Sequence, residues 1–307
     1  MTACAPLVLY ISYPFCKRKC AFCPRPVCSV PAPTKRRYWN ALMREIESSS
    51  KAAVGREVFA VRFGGGQPCQ ATAGELSEVI ACIKAHFDLA PEAEITLKAQ
   101  PLRQQGKGAS DWLAAGFDRI DYAVMTTDPF LRNLLGLPQL GGDALRFEPF
   151  ENIGAILSFG LPGQTAEDLV QGLRETLSAG AQHIALRPFS LSPRTPLGEL
   201  YEKRDGFQNC ERRNIPSKEQ VGEQLRAAKA FFEGAGMGEY LPLRFALTGK
   251  ESKFELSCAC GADVLGFGCF ARSRFRGMRF KNTEFVDAYI ASSPDFHKIT
   301  AEFAIVG

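Results

Sequence analysis

From residue 7 to residue 190, short apolar runs alternate with segments whose apolar positions recur every three or four residues. Leu7–Tyr13 (LVLYISY) predicts a buried strand, closed by Pro14. Thr34–Ser48 places Tyr38, Leu42 and Ile46 at four-residue intervals and predicts a helix. Glu57–Phe63 predicts a second strand, stopped by Gly64-Gly65-Gly66, and Thr72–Phe87 a helix with Leu76, Ile80, Ile83 and Phe87 on one face. Four more strands are expected at Glu94–Ala99, Arg119–Met125, Ile153–Phe159 and His183–Phe189, with helices at Ser110–Ala115 and Ala166–Ala179. Strands alternating with helices imply an α/β fold around a parallel sheet with right-handed crossovers. The pattern alone leaves an open doubly wound sheet and a curved, barrel-like sheet both standing.

After Phe189 the pattern changes. Ser192–Asn214 is rich in proline and charge, Ser217–Glu233 reads as an amphipathic helix, and Gly236–Thr248 as extended chain. Phe267–Phe280 is punctuated by glycine, and Glu284–Ala291 predicts a last helix. Residues 1–190 are therefore expected to form the core and 191–307 an extension packed on it. Length and composition agree, since 307 residues with 46% apolar and 23% charged content suit one large globular domain with an appendage. A net charge of +4 is mild and gives no sign of nucleic-acid binding. Leu7–Ile11 is a short apolar run with no basic residues before it, so no secretory signal is expected. Eleven cysteines, an odd number, then point to a reducing cytoplasm with thiols free or bound to metal.

The chemistry concentrates in Tyr10–Arg25, YISYPFCKRKCAFCPR, where Cys16, Cys20 and Cys23 stand in the pattern C-x3-C-x2-C. Three thiolates cannot close the four-ligand shell of a structural zinc site. They can hold three irons of a 4Fe–4S cluster, leaving the fourth iron open to an added ligand. Gly64-Gly65-Gly66-Gln67-Pro68 ends the second strand, and glycines let a backbone approach a ligand closely. Gly160-Leu-Pro-Gly-Gln-Thr165 reads as an architectural strand-to-helix turn with Thr165 as cap.

The cysteine spacing and its lead-in, Tyr10-Ile-Ser-Tyr-Pro-Phe-Cys16, resemble the radical S-adenosylmethionine (SAM) superfamily. They are similar to the branch of oxygen-independent coproporphyrinogen III oxidases and haem chaperones. The glycine triplet, the Gly160–Thr165 turn, His183-Ile-Ala-Leu with Arg194-Thr-Pro-Leu197, and Leu265-Gly-Phe-Gly-Cys-Phe-Ala271 with Gly277, Arg279 and Asn282 extend the likeness over about residues 8 to 291. The resemblance implies a partial (β/α)6 TIM-like barrel with a C-terminal α+β extension. It implies a 4Fe–4S cluster on Cys16, Cys20 and Cys23, and SAM received by Gly65, Gly66 and Gln67. Phe22 then stands where the family places an aromatic beside adenine, and Tyr10 where a tyrosine lies near the sulfonium; core packing is the competing reading of both. The implied function is reductive cleavage of SAM to a 5′-deoxyadenosyl radical that takes hydrogen from a tetrapyrrole-like small molecule. A flavodoxin or ferredoxin-type electron donor could meet Lys17-Arg18-Lys19, which also reads as ordinary surface charge.

Departures from the family pattern are as informative. Its acidic ExNP segment is Lys98-Ala-Gln-Pro101, its GVQS segment is Ala123-Val-Met-Thr126, and the aspartate of strand five is Ile156. Gln67 replaces a threonine, and Arg25 stands where the coproporphyrinogen oxidases carry a further cysteine. The chaperones' His-Asn motif is replaced around Phe254-Glu255 and Cys258-Ala259. A haem or tetrapyrrole carrier that keeps the cluster without full SAM chemistry is therefore the alternative function. Arg272, Arg274, Arg276 and Arg279 suit either a grip on carboxylates or a solvated hairpin.

Overall fold

The computed structural model describes residues 6–25, 27, 29–101, 107–202 and 214–292. Six strands run side by side in chain order: β1 (Leu7–Tyr13), β2 (Glu57–Gly65), β3 (Asp88–Ala99), β4 (Arg119–Met125), β5 (Ile153–Phe159) and β6 (His183–Pro188). Every neighbouring pair is parallel. This sheet forms the partial TIM-like barrel, so the barrel alternative prevails over the open sheet. All seven residues of β5 are buried, as expected for a parallel strand covered on both faces.

The helices follow from the periodicity. Helix α1 (Ala32–Ser50) buries Tyr38, Trp39, Leu42 and Ile46, and α2 (Ala73–His86) buries Leu76, Val79, Ile80 and Ile83. Capping boxes start α2 at Thr72/Glu75 and, further on, α5 (Ala166–Ser178) at Thr165/Asp168. Between these lie α3 (Lys107–Ala114) and the short α4 (Pro129–Leu134). Strand β3 begins at Asp88 rather than Glu94, because Asp88 and Leu89 already pair with Glu57 and Val58 before the register slips between Val58 and Ala60. Pro91 falls in that irregular stretch, where a proline without an N–H is tolerated.

The chain after β6 extends both edges of the same sheet. After α6 (Pro196–Glu202) and α7 (Lys218–Gly234), strands β7 (Gly238–Leu241) and β8 (Arg244–Ala246) form a hairpin antiparallel to β6. Helix α8 (Lys253–Ala259) then crosses to β1 and β2, and β9 (Asp263–Phe267) pairs parallel with β1. A hairpin of β10 (Arg272–Phe275) and β11 (Met278–Lys281) completes an eleven-stranded sheet, followed by α9 (Val286–Ala291). Glu45 of α1, fully buried, locks this extension in place. Its side chain accepts hydrogen bonds from Gly268 N at 2.8 Å, Asn282 Nδ2 at 2.7 Å and Tyr289 Oη at 2.7 Å. The glycine-rich block after β9 is thus architectural. Gly268 takes a left-handed φ of +91°, and a Cβ there would meet Tyr38 Oη and Ser12 O.

A buried ion network fills the barrel beneath its C-terminal mouth. Asp121 binds Arg62 at 2.7 Å and Arg119 at 3.0 Å, while Glu255 of α8 binds Arg244 at 2.8 Å. Arg119 also reaches Glu94 at 3.4 Å, and His183 Nε2 lies 2.8 Å from Tyr240 Oη. The two arginines hold Asp121 ionised to well below the usual carboxylate range against the cost of burial. Gly154 makes the network possible: a Cβ there would collide with Asp121 Oδ1 and approach His183 Nδ1 to 2.9 Å.

Candidate functional site at the barrel mouth

The C-terminal ends of the six strands converge on a cavity of about 260 Å³. Strand β1 leads into the cysteine loop, β2 ends in the glycine triplet, and β3 supplies Lys98 and then Gln100. Met125, Ser158 and Arg187 come from the ends of β4, β5 and β6. Barrels of this type place their chemistry at this face, where loops from several strands meet.

The cysteine loop is fastened from several sides. Gly66 N donates to Tyr13 O at 2.6 Å and Gln67 N to Phe15 O at 3.0 Å, stitching the triplet to the loop's entry. Lys17 N donates to Gln70 Oε1 at 2.9 Å, Ala21 N to Leu135 O at 3.0 Å, and Arg25 Nη1 to Gly65 O at 2.9 Å. Cys16, Cys20 and Cys23 all line the cavity, partly buried, together with Phe22, Gly65, Gly66 and Gln67. The triplet is demanded by the protein's own packing. Gly65 has φ +93°, a Cβ on Gly64 would strike Tyr10 Oη at 2.6 Å, and one on Gly66 would lie 2.6 Å from Phe15 O and 3.0 Å from Cys16 Sγ.

Burial, reinforced by Cys23 and Cys20, pushes the bare Cys16 thiol up to about 12. Cys20 is raised by the same causes in the same order, burial and then Cys23. Crowded, partly buried thiols such as Cys16 and Cys20 resist ionisation, and a bound metal cluster would reverse that balance. Among the described residues no trio of Cys, His, Asp or Glu side chains converges on a single-ion site. The thiols instead surround the cavity, and no fourth Cys, His, Asp or Glu of the described residues lines it. Three soft ligands around a void with an uncommitted side fit a 4Fe–4S cluster with one open iron.

All three departures from the family's polar pattern, Lys98, Met125 and Ile156, lie on the wall of this cavity. Met125 has φ +64°, uncommon for a side chain of its size, at a bulge in the β4–β5 pairing. Gln67 Nε2 donates to Gln100 Oε1 at 2.6 Å, so two further departures satisfy one another. Burial, followed by Arg25 and Arg187, lowers Lys98 to about 8.

Tyr10 faces a second cavity of about 650 Å³, which meets the first at Arg25, Gly65 and Gly66. Phe254, Cys258, Phe270 and Arg272 share its wall. The four arginines of the last hairpin do not act together. Arg272 turns to this cavity, Arg274 binds the carbonyls of Cys258 and Ala262 at 3.2 and 2.8 Å, and Arg276 and Arg279 are exposed. Phe22 packs edge-on to Phe189 with ring centres 6.0 Å apart. Sequence reasoning missed Arg187 and Ser158, whose only signal was their place at the ends of predicted strands. It also missed the buried ion network, because alternate polar residues in a strand ordinarily mark a solvated face.

The chain matches no protein-family model. It is 27% identical over 310 residues to the heme chaperone HemW of Bacillus subtilis, covering 95% of this chain and 79% of that protein. It is 26% identical over 284 residues to anaerobilin synthase of Escherichia coli O157:H7, covering 90% of this chain and 62% of the synthase. Among solved structures it superposes on coproporphyrinogen III oxidase (HemN) from Escherichia coli, a radical SAM enzyme, with a TM-score of 0.77. That match spans 94% of this chain and 69% of the oxidase at 21% identity. With the cysteine loop and glycine triplet meeting at the barrel mouth, the chain is thus similar over most of its length to heme chaperones and an anaerobilin synthase in sequence, and to a radical SAM coproporphyrinogen III oxidase in fold.

Proposed function

We propose that this protein is a radical SAM iron–sulfur oxidoreductase acting on a small molecule of the tetrapyrrole class. The observation that carries this reading is the meeting of three thiols and the glycine triplet in one cavity at the barrel mouth. A 4Fe–4S cluster, when bound, supplies the electron for reductive cleavage of SAM. Cys16, Cys20 and Cys23 would hold it. Gly65, Gly66 and Gln67 would receive SAM beside it, with Phe22 offering a ring face at the same cavity. Arg25, tied to Gly65 O, fixes the loop against the triplet. Lys17, Arg18 and Lys19 are exposed and would meet an acidic flavodoxin or ferredoxin. A reducing, cytoplasmic setting suits such a cluster, and no helix among the described residues is long and apolar enough to cross a membrane.

A carrier of haem or a related tetrapyrrole is the second reading. It is favoured by Lys98, Met125 and Ile156 on the cavity wall and by the 27% identity to a heme chaperone. Against it, no histidine among the described residues lines either of the two cavities. Anaerobic reconstitution with iron and sulfide, followed by electron paramagnetic resonance with and without SAM, separates the two. The enzyme reading expects a cluster signal that changes on SAM addition and 5′-deoxyadenosine as product. A signal indifferent to SAM, with stoichiometric hemin binding, would overturn it in favour of the carrier.

A further inference from the structure

The cavity at the barrel mouth has a lopsided charge. Arg18, Lys19, Arg25, Lys98 and Arg187 line it, and no aspartate or glutamate among the described residues does. Elsewhere in the barrel the buried cations have their acceptors. Arg62 and Arg119 share Asp121, Arg244 holds Glu255, and Arg132 binds the carbonyls of Val124, Thr126 and Pro138. Lys98 stands beside Asp121 in the β3–β4 register, but both Asp121 oxygens are taken by the two arginines. Among the described residues neither Lys98 nor Arg187 has a hydrogen bond or an ion pair from its side chain. Lys98 is half-buried and Arg187 exposed at the mouth, and with no acid between them the two present one positive wall to a small molecule that enters the cavity. The rest of the lining is largely apolar or aromatic, with Phe22, Leu137, Met125, Ile156 and Phe189. The pocket therefore offers an apolar bed with a cationic end, supplied by a lysine point charge and a forked guanidinium.

We infer that Lys98 and Arg187 form an anion subsite within the barrel mouth, which holds a carboxylate of the small molecule bound beside the cysteine loop. That carboxylate belongs either to SAM or to the co-substrate, and the inference rests on the proposed radical SAM reading only for that identification. This subsite would be built from this chain's own Lys98 at the end of β3 and Arg187 at the end of β6.

The test uses the full chain, anaerobically reconstituted, and four probes whose affinities are read by equilibrium dialysis or fluorescence quenching. These are SAM, its decarboxylated analogue S-adenosylmethioninamine, coproporphyrin III, and coproporphyrin III tetramethyl ester. The wild-type chain is expected to prefer one free acid over its carboxylate-lacking partner by about tenfold or more, the range of one charge-assisted contact. Lys98→Met and Arg187→Met should each remove that preference while leaving the carboxylate-lacking partner's affinity unchanged, and Lys98→Arg should restore it. A loss confined to SAM assigns the subsite to SAM; a loss confined to coproporphyrin assigns it to the co-substrate. Equal affinities for both members of both pairs in the wild-type chain overturn the inference without any variant. So do variants that keep all four affinities within about twofold and shift only the cluster's reduction potential, which would make the two cations an electrostatic tuning of the cluster. If SAM leaves the cluster signal unchanged while the coproporphyrin preference persists and depends on Lys98, the subsite stands and the radical SAM reading falls.

Discussion

Gly154 shows how one residue can decide whether a charged barrel interior is tolerable. Its missing side chain is the space in which Asp121, Arg119 and His183 meet. A methyl group there pushes apart charges that have no water to turn to, so Gly154→Ala should cost about 3 kcal/mol or more. Gly74 lies in the first turn of α2 and has no left-handed φ, and a Cβ there would meet nothing within 4 Å. Gly74→Ala should therefore be neutral or stabilising by up to about 1 kcal/mol. Urea denaturation of the two variants checks the contrast. His183 belongs to the same network and is 1% exposed; burial, then Arg119, lowers it to about 4. Unfolded, it takes up its proton near pH 6.5, so its contribution is full above that pH and is lost as the pH falls toward 4. Asp118 works the other way: burial raises it to about 6, so its contribution is full below the ordinary carboxylate value and lost as pH rises through 6. The Asp118 effect is common to wild type and His183→Asn and cancels in their difference. Between pH 6.5 and 4 the wild type should lose stability relative to the variant, read as converging melting temperatures.

At the scale of elements, the cysteine loop and the glycine triplet are one unit, since each glycine is required by an atom of β1 or of the loop. Gly66→Ala brings a Cβ within 3.0 Å of Cys16 Sγ and nearer still to Phe15 O. It should therefore lower iron and sulfide bound per chain by several-fold while leaving far-UV circular dichroism unchanged. Cluster loading restored to wild-type level in that variant would show that the loop can move aside. The six core strands and the large helices were legible because each carries a run or a period long enough to read. The cysteine triad was legible because its spacing is local. The β7–β8 hairpin was not, since its turn is Pro242-Leu243, with Leu243 at φ +62° where a glycine or asparagine would have signalled it. Helix α8 has seven residues, too short for a period to show, yet it delivers Glu255 to the ion network. The pairing of Gln67 with Gln100 joins residues 33 apart, and nothing local announces it.

Among the described residues, charge is divided between an interior of paired ions and a mouth that cations line without any carboxylate. The net charge of +4 conceals this division, because it counts the neutralised network and the uncompensated cavity alike. Around the cysteine loop Lys17, Arg18 and Lys19 are exposed and make the rim of the mouth positive. An acidic electron donor approaching that rim would be steered to the face nearest the cysteines, and such steering acts on the encounter rate more than on the complex's lifetime. Replacing all three by serine should lower the second-order rate of cluster reduction by reduced flavodoxin about tenfold at low salt. Because ions at about 0.15 M screen charge beyond about 8 Å, wild-type and variant rates should draw together as salt is raised. Stopped-flow bleaching of the cluster absorbance across a salt series measures both quantities. A wild-type rate that does not fall with salt would mean that the donor docks elsewhere, and that these three cations serve only as solvated surface around the loop.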